Sequence, residues 1–450
     1  MLDNISPIDG RYSNDTQELK IFFSEEALIK YRIKIEIEYI IELCNVVHIR
    51  ELKPLSSRKK SELRDIYEKF SIKNAKQVKK IESKTNHDVK AVEYFIQEKF
   101  NNSGNKKLIP WIHFALTSED VNNLAYSLMW QDSLIHVYLP IVKKVLSKVK
   151  SLAKTNRNIA LLALTHGQAA SPTTVGKEFA VYYNRLNRQL NIVKAHNPLG
   201  KLSGATGTWS AHLTAYPSVD WIKFSQRFMK SLKLEPNLIT TQIESHDSLI
   251  ESYQTISRIN SILIDMCQDL WQYISRGVFA QKRLDNEVGS STMPHKINPI
   301  NFENAEGNFS MSNALFSEFS RKLPVSRMQR DLSDSTVLRN QGVALAHSLI
   351  ALKNILKGLN RLSVNKDKVT EELNAHWEIL AEPIQTILRK NGESDAYEKL
   401  KDLTRGEDIS KETISNFIKD LKIPKTDKES LLALSPETYI GLSSKIVELI

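Results

Sequence analysis

At 450 residues, the chain is longer than one ordinary hydrophobic core supports, so roughly two to four domains are expected. Its 41% hydrophobic and 25% charged residues are normal for a soluble globular protein, and its low content of Pro (14) and Gly (15) favours long helices over many turns. The net charge of +10 comes from scattered lysines rather than one basic block, which argues against nucleic-acid binding and fits a small polyanionic partner.

Membrane insertion and secretion are not indicated by the sequence. No run of 18 apolar residues occurs, and residues 1–7 lack the basic and apolar regions of a secretory signal. Cys44 and Cys267 are far apart and match no metal-binding or redox spacing. We therefore expect a cytoplasmic protein with reduced cysteines.

The first half of the chain carries several helix-start signals. Ser24, followed by two glutamates, predicts a helix over residues 24–44. The segment 85–88 has the residue types of a capping box and predicts the start of another helix. Thr117, with Asp120 three positions later, predicts the start of a long helix that continues towards residue 155 and is kinked at Pro140.

Three apolar stripes in the middle of the chain recur at steps of three and four residues. One belongs to the segment that ends near residue 155, the second is predicted to follow a helix start at Ser171-Pro172, and the third runs over residues 259–273. Burial in one subunit's core would explain this pattern equally well. Lengths of roughly 25–35 residues, however, exceed the ~11–12-residue average and favour a bundle shared between subunits. We expect an all-α fold with three helical domains, over residues 1–110, 111–365 and 366–450.

Residues 289–299 read Gly-Ser-Ser-Thr-Met-Pro-His-Lys-Ile-Asn-Pro, and the glycine and two prolines exclude a regular helix or strand. Backbone N–H groups after Gly289 and the charge of Lys296 suit an oxyanion. A surface turn with incidental polarity is the plain alternative. If the segment is functional, we expect it to be open without ligand and to close over a bound substrate.

The 289–299 segment resembles the GSSxMPxKxNP stretch of the fumarase/aspartase/argininosuccinate lyase superfamily. Within that superfamily the chain is similar to the adenylosuccinate lyase family, in the bacterial form with an extended N-terminal region. The similar segments are residues 6–12, 86–93, 117–120, 165–168, 300–308, 323–327 and 335–340. Ala169-Ala170 replaces the proline that usually follows the THGQ motif, which predicts a slightly looser loop around His166.

The resemblance implies a β-elimination that releases fumarate from a succinyl-amino nucleotide in purine synthesis. It implies His166 as the acid that protonates the leaving nitrogen and Ser290 as the base, with Ser291 as the rival for that role. Histidine titrates near working pH, whereas a serine base needs activation, for which Lys296 and backbone N–H groups are the candidates. The resemblance further implies a homotetramer, and no metal or organic cofactor.

Substrate-binding positions also follow from the resemblance. His87 would hold the phosphate or tune His166, although a lone histidine in a helix's first turn is more often structural. Thr117 and Ser118 stand at a helix start that suits a carboxylate, and ordinary capping is compatible with this role. The substrate carries roughly four negative charges, so several arginines are expected. The other matching positions are Arg11, Tyr12, Asn86, Asp88, Gln168, Gln242, Asn298, Asn304, Arg330, Ser335, Thr336, Val337, Leu338 and Arg339.

Two alternative functions follow from the same residues. Argininosuccinate lyase and fumarase share the 289–299 segment but bind no nucleotide phosphate, and the matches at Arg11, His87 and 330–339 argue against them. A non-catalytic helical scaffold would not need His166 together with the 289–299 signature. His113 and His212 are assigned structural roles.

Overall fold

The computed structural model describes residues 3–282, 293, 296–404 and 409–450. Within these residues the chain is predominantly helical, and its strands form three short two-stranded sheets. The prediction of an all-α fold is confirmed. Of the described helices, none is both long and apolar enough to cross a lipid bilayer.

The described α-helices are numbered in chain order. They are α1 Ser13–Thr16, α2 Lys20–Phe23, α3 Glu25–Leu43, α4 Ser57–Glu68, α5 Ile72–Thr85, α6 Asp88–Asn102, α7 Ser118–Ser133, α8 Leu139–Thr155, α9 Val175–Ala195, α10 Ser210–Ala215, α11 Trp221–Ser231, α12 Asp247–Ser275, α13 Ile300–Lys322, α14 Ser333–Leu338, α15 Gln341–Arg361, α16 Lys366–Asn374, α17 Ala381–Lys390, α18 Ala396–Thr404, α19 Lys411–Asp420, α20 Lys425–Leu432 and α21 Ser443–Ile446.

The strands pair locally or over long sequence distances. They are β1 Ala160–Thr165 with β2 Gln168–Thr174 (antiparallel), β3 Leu199–Gly200 with β4 Glu235–Pro236 (parallel), and β5 Phe279–Gln281 with β6 Leu362–Val364 (antiparallel). Short 3-10 helices occur at Gln17–Leu19, Lys106–Trp111, Trp377–Leu380 and Val447–Leu449.

The described residues divide into two compact units, each assembled from three stretches of sequence. Unit 1 takes its residues from 1–142, 189–261 and 307–353, and unit 2 from 143–188, 262–306 and 354–450. The three-domain division made along the sequence remains a prediction. The helices after residue 366 are short, as expected, and those of residues 377–439 share an apolar cluster that includes Leu380, Ile384 and Ile418.

Helix α3 begins where the sequence predicts. The Ser24 hydroxyl accepts a hydrogen bond from the Ala27 N–H at 3.1 Å, and two glutamates follow in the first turn. Ile33, Ile35 and Ile37 are all fully buried. Their strand-like alternation is therefore compatible with a helix, because α3 is buried over most of its surface. Its half-buried polar residues, Glu26, Lys30, Lys34, Glu38 and Glu42, recur every four positions and mark the helical period.

The start of α6 differs from the predicted capping box at residues 85–88. Asn86 ends α5 in the left-handed conformation (φ 51°), and His87 caps α6 by accepting a hydrogen bond from the Lys90 N–H at 3.1 Å. Thr85 instead accepts a hydrogen bond from the His87 N–H at 3.4 Å. The predicted cap was wrong because the preceding helix extends as far as Thr85, so the new helix starts two residues later.

The predicted capping box at the start of α7 is confirmed. Thr117 and Asp120 exchange hydrogen bonds between side chain and backbone, and the Thr117 N–H lies 2.8 Å from the Asp120 Oδ2. A π-helical turn over Leu134–Tyr138 lies between α7 and α8, directly before the helical turn that holds Pro140, and the kink expected at Pro140 remains a prediction. The Leu139 N–H bonds to the Leu134 carbonyl across this turn.

The predicted helix start at Ser171-Pro172 is wrong. Both residues belong to strand β2, and α9 begins at Val175. In the hairpin, Leu161 pairs with Thr173 and Ala163 pairs with Ala170, so Ser171 and Pro172 lie opposite one residue at an irregularity in the ladder. A proline is tolerated there because the position requires no ladder N–H.

The apolar stripe assigned to the second long helix is buried along α9. Its members are Val175, Phe179, Tyr182, Leu186, Leu190 and Val193.

The loop between β3 and α10 contains two glycines with left-handed backbone. Gly204 has φ 77° and Gly207 has φ 80°. A Cβ at Gly204 would approach the nearest described atom, the Ala115 carbonyl oxygen, only to 3.5 Å. A Cβ at Gly207 would overlap the Thr240 carbonyl oxygen and come within 2.8 Å of the Thr241 carbonyl oxygen. The two glycines therefore share a left-handed backbone conformation, but only Gly204 has room for a Cβ atom.

We predict that Gly207→Ala lowers the thermal unfolding midpoint more than Gly204→Ala does. Both variants carry the left-handed cost of roughly 1–2 kcal/mol, and Gly207→Ala adds a clash with rigid backbone of about 1–3 kcal/mol. Circular dichroism melts of the two variants and the wild type measure the difference. Equal midpoints for the two variants would contradict the close approach of residues 207 and 240.

Candidate functional site

A cavity of about 440 Å³ in unit 1 gathers residues that are far apart in sequence. Its walls come from the starts of α6 and α7, from Gln242, and from the segment 330–339. The lining residues are Asn86, His87, Asp88, Thr117, Ser118, Asn122, Gln242, Arg330, Leu332, Ser335, Thr336 and Arg339. Ten of these twelve lining residues were named from the sequence as substrate-binding candidates. The fold therefore brings together most of the candidates that belong to unit 1.

Two helix N-termini contribute to the cavity wall. His87 caps α6 through its Nδ1 atom, which accepts from a backbone N–H. In the neutral imidazole the proton must then be on Nε2, so this exposed side chain presents a donor to a ligand. Thr117 caps α7, and Ser118 is the first residue of that helix. The partial positive charge of both helix ends favours an anion in the cavity.

Two arginines supply full positive charge, and each is held by carboxylates. Arg330 donates to the buried Glu119 at 2.5 Å, and its other terminal nitrogen lies 3.9 Å from Asp334. Arg339 contacts Glu25 and Asp88, each at 3.1 Å. Burial raises the pKa of Glu119 although Arg330 opposes this shift. Burial alone would lower the pKa of Arg330, but Glu119 raises it, so the guanidinium stays charged.

The buried carboxylate of Asp120 joins the start of α7 to the loop after β3. It accepts hydrogen bonds from the N–H groups of Thr117, Ser203 and Gly204, at distances of 2.8 to 3.3 Å. The ammonium of Lys201 lies 2.8 Å from the same carboxylate and donates to the Gly204 carbonyl, and both charged side chains are 0% exposed.

Gln242 is anchored to the same loop. Its side-chain amide donates to the Ala205 carbonyl at 2.9 Å. The Asp120 carboxylate and this loop therefore connect two parts of the cavity wall, the start of α7 and Gln242.

Four other candidates in unit 1 do not line the cavity. Arg11 is exposed, with its guanidinium carbon 6.0 Å from the ring centroid of Tyr12. Val337 and Leu338 belong to α14 beside the lining residues, and Leu338 is buried. Leu338 therefore has only its backbone to offer a ligand.

In unit 2, His166 occupies the tip of the β1–β2 hairpin. His166 and Gly167 both have positive φ, of 55° and 76°, as a two-residue hairpin turn between paired Thr165 and Gln168 requires. The side chains of His166 and Gln168 are exposed. The slightly looser loop expected around His166 is not seen, because Thr165 pairs with Gln168 across the turn and both alanines at 169–170 pair with β1.

The remaining candidates of unit 2 lie near the start of α13. Residues 296–299 have no regular structure, as predicted, and Lys296 is exposed, with its N–H donating to the Met293 carbonyl at 3.1 Å. Asn298 and Asn304 are half-buried. The proposed base Ser290 and its rival Ser291 lie outside the described residues, as does the rest of the segment except Met293 and residues 296–299.

Asn122, Leu332 and Glu119 are site residues that sequence reasoning missed. Asn122 follows Ser118 by four positions on α7, and this helical spacing is the signal that could have placed it on the same face. Glu119 contacts Arg330 across 211 positions of sequence, and no local pattern reveals such a pair. Leu332 is an apolar residue in a polar segment and carries no signal of its own.

We predict that Asp120→Asn destabilises the protein more than the double variant Asp120→Asn/Lys201→Met. The single change leaves a fully buried ammonium without a countercharge, which costs about 3–5 kcal/mol, whereas the double change removes both charges. Thermal melts of both single variants and the double variant form a mutant cycle. Strictly additive losses would show that the two side chains do not interact.

Comparisons with known proteins identify the family of the chain. Residues 10–311 match a family model described as Lyase, and residues 326–440 match one described as Adenylosuccinate lyase C-terminal. Adenylosuccinate lyase from Legionella pneumophila is 49% identical over 449 residues, which cover 99% of this chain and 98% of that protein. Adenylosuccinate lyase from Escherichia coli is 45% identical over 448 residues, with the same coverage.

Among solved structures, a fumarate lyase from a Mesorhizobium species has a TM-score of 0.77 at 16% identity, covering 96% of this chain and 97% of that one. This likeness concerns the fold alone. The similarity to the curated relatives, by contrast, extends over 99% of the chain. The chain therefore belongs to the adenylosuccinate lyase family.

Proposed function

We propose that the chain eliminates fumarate from adenylosuccinate, giving AMP, and from the succinyl-carboxamide ribotide SAICAR, giving AICAR, in purine nucleotide biosynthesis. The observation that carries this proposal is the unit 1 cavity, which combines Arg330, Arg339, the donor of His87 and two helix N-termini. Such a set suits a ligand with a phosphate and two carboxylates. Fumarate release from adenylosuccinate, with argininosuccinate as the comparison substrate, tests it.

The chemistry has one proton-accepting and one proton-donating step. A base removes a proton from the carbon next to a carboxylate, the C–N bond at the neighbouring carbon breaks, and an acid protonates the departing nitrogen. Ser290 is proposed as the base, with Ser291 as its rival, and His166 as the acid. Lys296 and backbone N–H groups stabilise the carboxylate as it becomes a dianion.

We infer that the active site is assembled from several copies of the chain in a homotetramer. Residues 86–88, 166–168 and 289–299 would come from three different subunits. Two features support this inference. His166 is exposed at a hairpin tip, where it can enter a neighbouring copy, and the long helices carry exposed apolar side chains, among them Ile192 (45%), Trp271 (45%) and Met311 (52%).

A cytoplasmic location is part of the proposal. Cys44 and Cys267 are both buried free thiols, which suits a reducing compartment.

His166→Ala is expected to reduce kcat by about 10²–10⁴, the usual loss when a general acid is removed. KM should change little, because the phosphate and carboxylate contacts remain. Steady-state kinetics with adenylosuccinate provide both constants. If turnover remains within about threefold of the wild type, His166 is not the acid.

The same variant also tests the shared site. When His166→Ala is mixed with Ser290→Ala under conditions that allow subunit exchange, hybrid tetramers contain some sites with both residues intact, and activity should partly return. Each variant mixed with itself is the control. A failure of rescue, or a stable and active monomer in light scattering, would contradict the proposed assembly.

Lys296→Met is expected to lower turnover strongly while changing AMP affinity only slightly. Its charge matters most once the carbanion forms, and AMP lacks the succinyl carboxylates. The paired measurement is the kcat for adenylosuccinate and the dissociation constant of AMP for the same variant. Equal losses in both would assign Lys296 to ground-state nucleotide binding instead.

A further inference from the structure

Arg32 is a buried charge in the middle of the largely buried helix α3. Its side chain is 1% exposed. The Nε atom donates to the Asn122 side-chain oxygen at 2.9 Å, and Nη2 donates to the Asp88 Oδ2 at 2.8 Å. Nη1 is buried and has no hydrogen-bond partner among the described residues. A buried guanidinium nitrogen without an acceptor is costly, so its presence calls for a physical reason.

Both partners of Arg32 line the cavity. The same oxygen of Asp88 that accepts from Arg32 also accepts from the Nη2 atom of Arg339 at 3.1 Å. One carboxylate oxygen thus joins the buried guanidinium to the cavity-lining one. Arg32 does not itself line the cavity, and its hydrogen bonds within the described residues go to the lining residues Asp88 and Asn122.

One carboxylate serves two guanidiniums around the buried arginine. Arg32 and Arg339 share Asp88, and the only other carboxylate bound to Arg339 within the described residues is Glu25. Glu25 is 43% exposed, so solvent screens its charge. It also contacts Lys79 at 3.3 Å, although Lys79 has a nearer partner in Glu82 at 2.7 Å. The formal charges of Arg32, Arg339, Asp88 and Glu25 cancel, but Arg32 shares its one carboxylate partner among the described residues, Asp88, with Arg339. The positive charge on this wall of the cavity is therefore only partly compensated at short range before an anion binds.

The nearby Tyr126 adds no negative charge to this group. Its hydroxyl is buried and has no hydrogen-bond partner in the described part of the chain. Burial raises the pKa of Tyr126 to about 12, with Arg32 and Arg339 acting in the opposite direction, so the phenol is neutral at physiological pH. Desolvation of Arg32 lowers the stability of the folded protein, and the attraction of a bound anion would offset part of this destabilisation.

We propose that Arg32 is a positioning residue that fixes Asp88 and Asn122 and, through Asp88, holds the Arg339 guanidinium towards an anionic group of the nucleotide. The proposal rests on the proposed function, since it takes a nucleotide as the ligand. Arg32 acts on binding rather than on the elimination itself. Lysine is a poor substitute because a single ammonium cannot reproduce the guanidinium fork that contacts both partners.

The first test is the affinity for AMP, measured by isothermal titration calorimetry without turnover. Arg32→Met should weaken AMP binding by roughly tenfold or more, the scale of losing hydrogen bonds to a charged group. KM for adenylosuccinate should rise in parallel, and kcat should stay within about threefold of the wild type. The AMP affinity of Arg32→Lys should lie between those of the wild type and Arg32→Met. This second variant keeps the test valid if the methionine variant folds poorly.

The matched control is Arg64→Met. Arg64 also pairs with a carboxylate on α3, making two hydrogen bonds to Glu38 at 2.7 and 2.8 Å, but neither residue lines the cavity. This variant should lower the thermal midpoint without changing the AMP dissociation constant. If it weakens AMP binding as much as Arg32→Met, the effect of Arg32 is general destabilisation.

The decisive measurement is the coupling between Arg32 and Arg339. If Arg32 works through Arg339, then Arg32→Met added to Arg339→Met should weaken AMP binding by less than about threefold further. If the losses of AMP affinity caused by the two substitutions multiply independently, the positioning role is wrong. It is also wrong if Arg32→Met binds AMP with a dissociation constant within twofold of the wild type. Failure of the wild type itself to bind AMP would count against the proposed function instead, so the two failures are distinguishable.

Discussion

The buried carboxylate of Asp120 is the interaction on which the described part of the site depends most. It completes the cap of α7, accepts two backbone N–H groups of the loop after β3, and neutralises the buried Lys201. Gln242 is attached to the same loop through the Ala205 carbonyl. The position of the hydroxyls at the start of α7 and the position of Gln242 are therefore set by one charge that water does not reach.

The cavity in unit 1 is organised for anions before any ligand binds. Glu119 holds Arg330 from the buried side, and Asp88 holds Arg339, so neither guanidinium has to be ordered when substrate arrives. Buried ion pairs of this kind contribute little net stability, because desolvation offsets their attraction. These ion pairs instead fix the positions of the two guanidiniums in the cavity wall. Two helix N-termini add partial positive charge to the same wall.

Binding and acid–base chemistry draw on different stretches of the chain. The cavity-lining residues belong to unit 1, whereas His166 and Lys296 belong to unit 2 and are exposed. His166 stands on a two-residue turn whose left-handed backbone and antiparallel pairing fix its position at the tip. An exposed, rigidly mounted imidazole suits a site completed by another copy of the chain, as the proposed tetramer requires.

Local patterns in the sequence determined the helical class of the fold, the Ser24 and Thr117 caps and the buried stripe of α9, because helix starts and helical faces depend on residues three or four positions apart. The family resemblance supplied most of the residues that line the cavity. Tertiary structure decided the rest. Pro172 fits a strand only because the hairpin ladder is irregular there. Arg32 meets Asp88 across 56 positions and Asp88 meets Arg339 across 251, contacts that depend on the packing of whole helices and leave no periodic trace in the sequence.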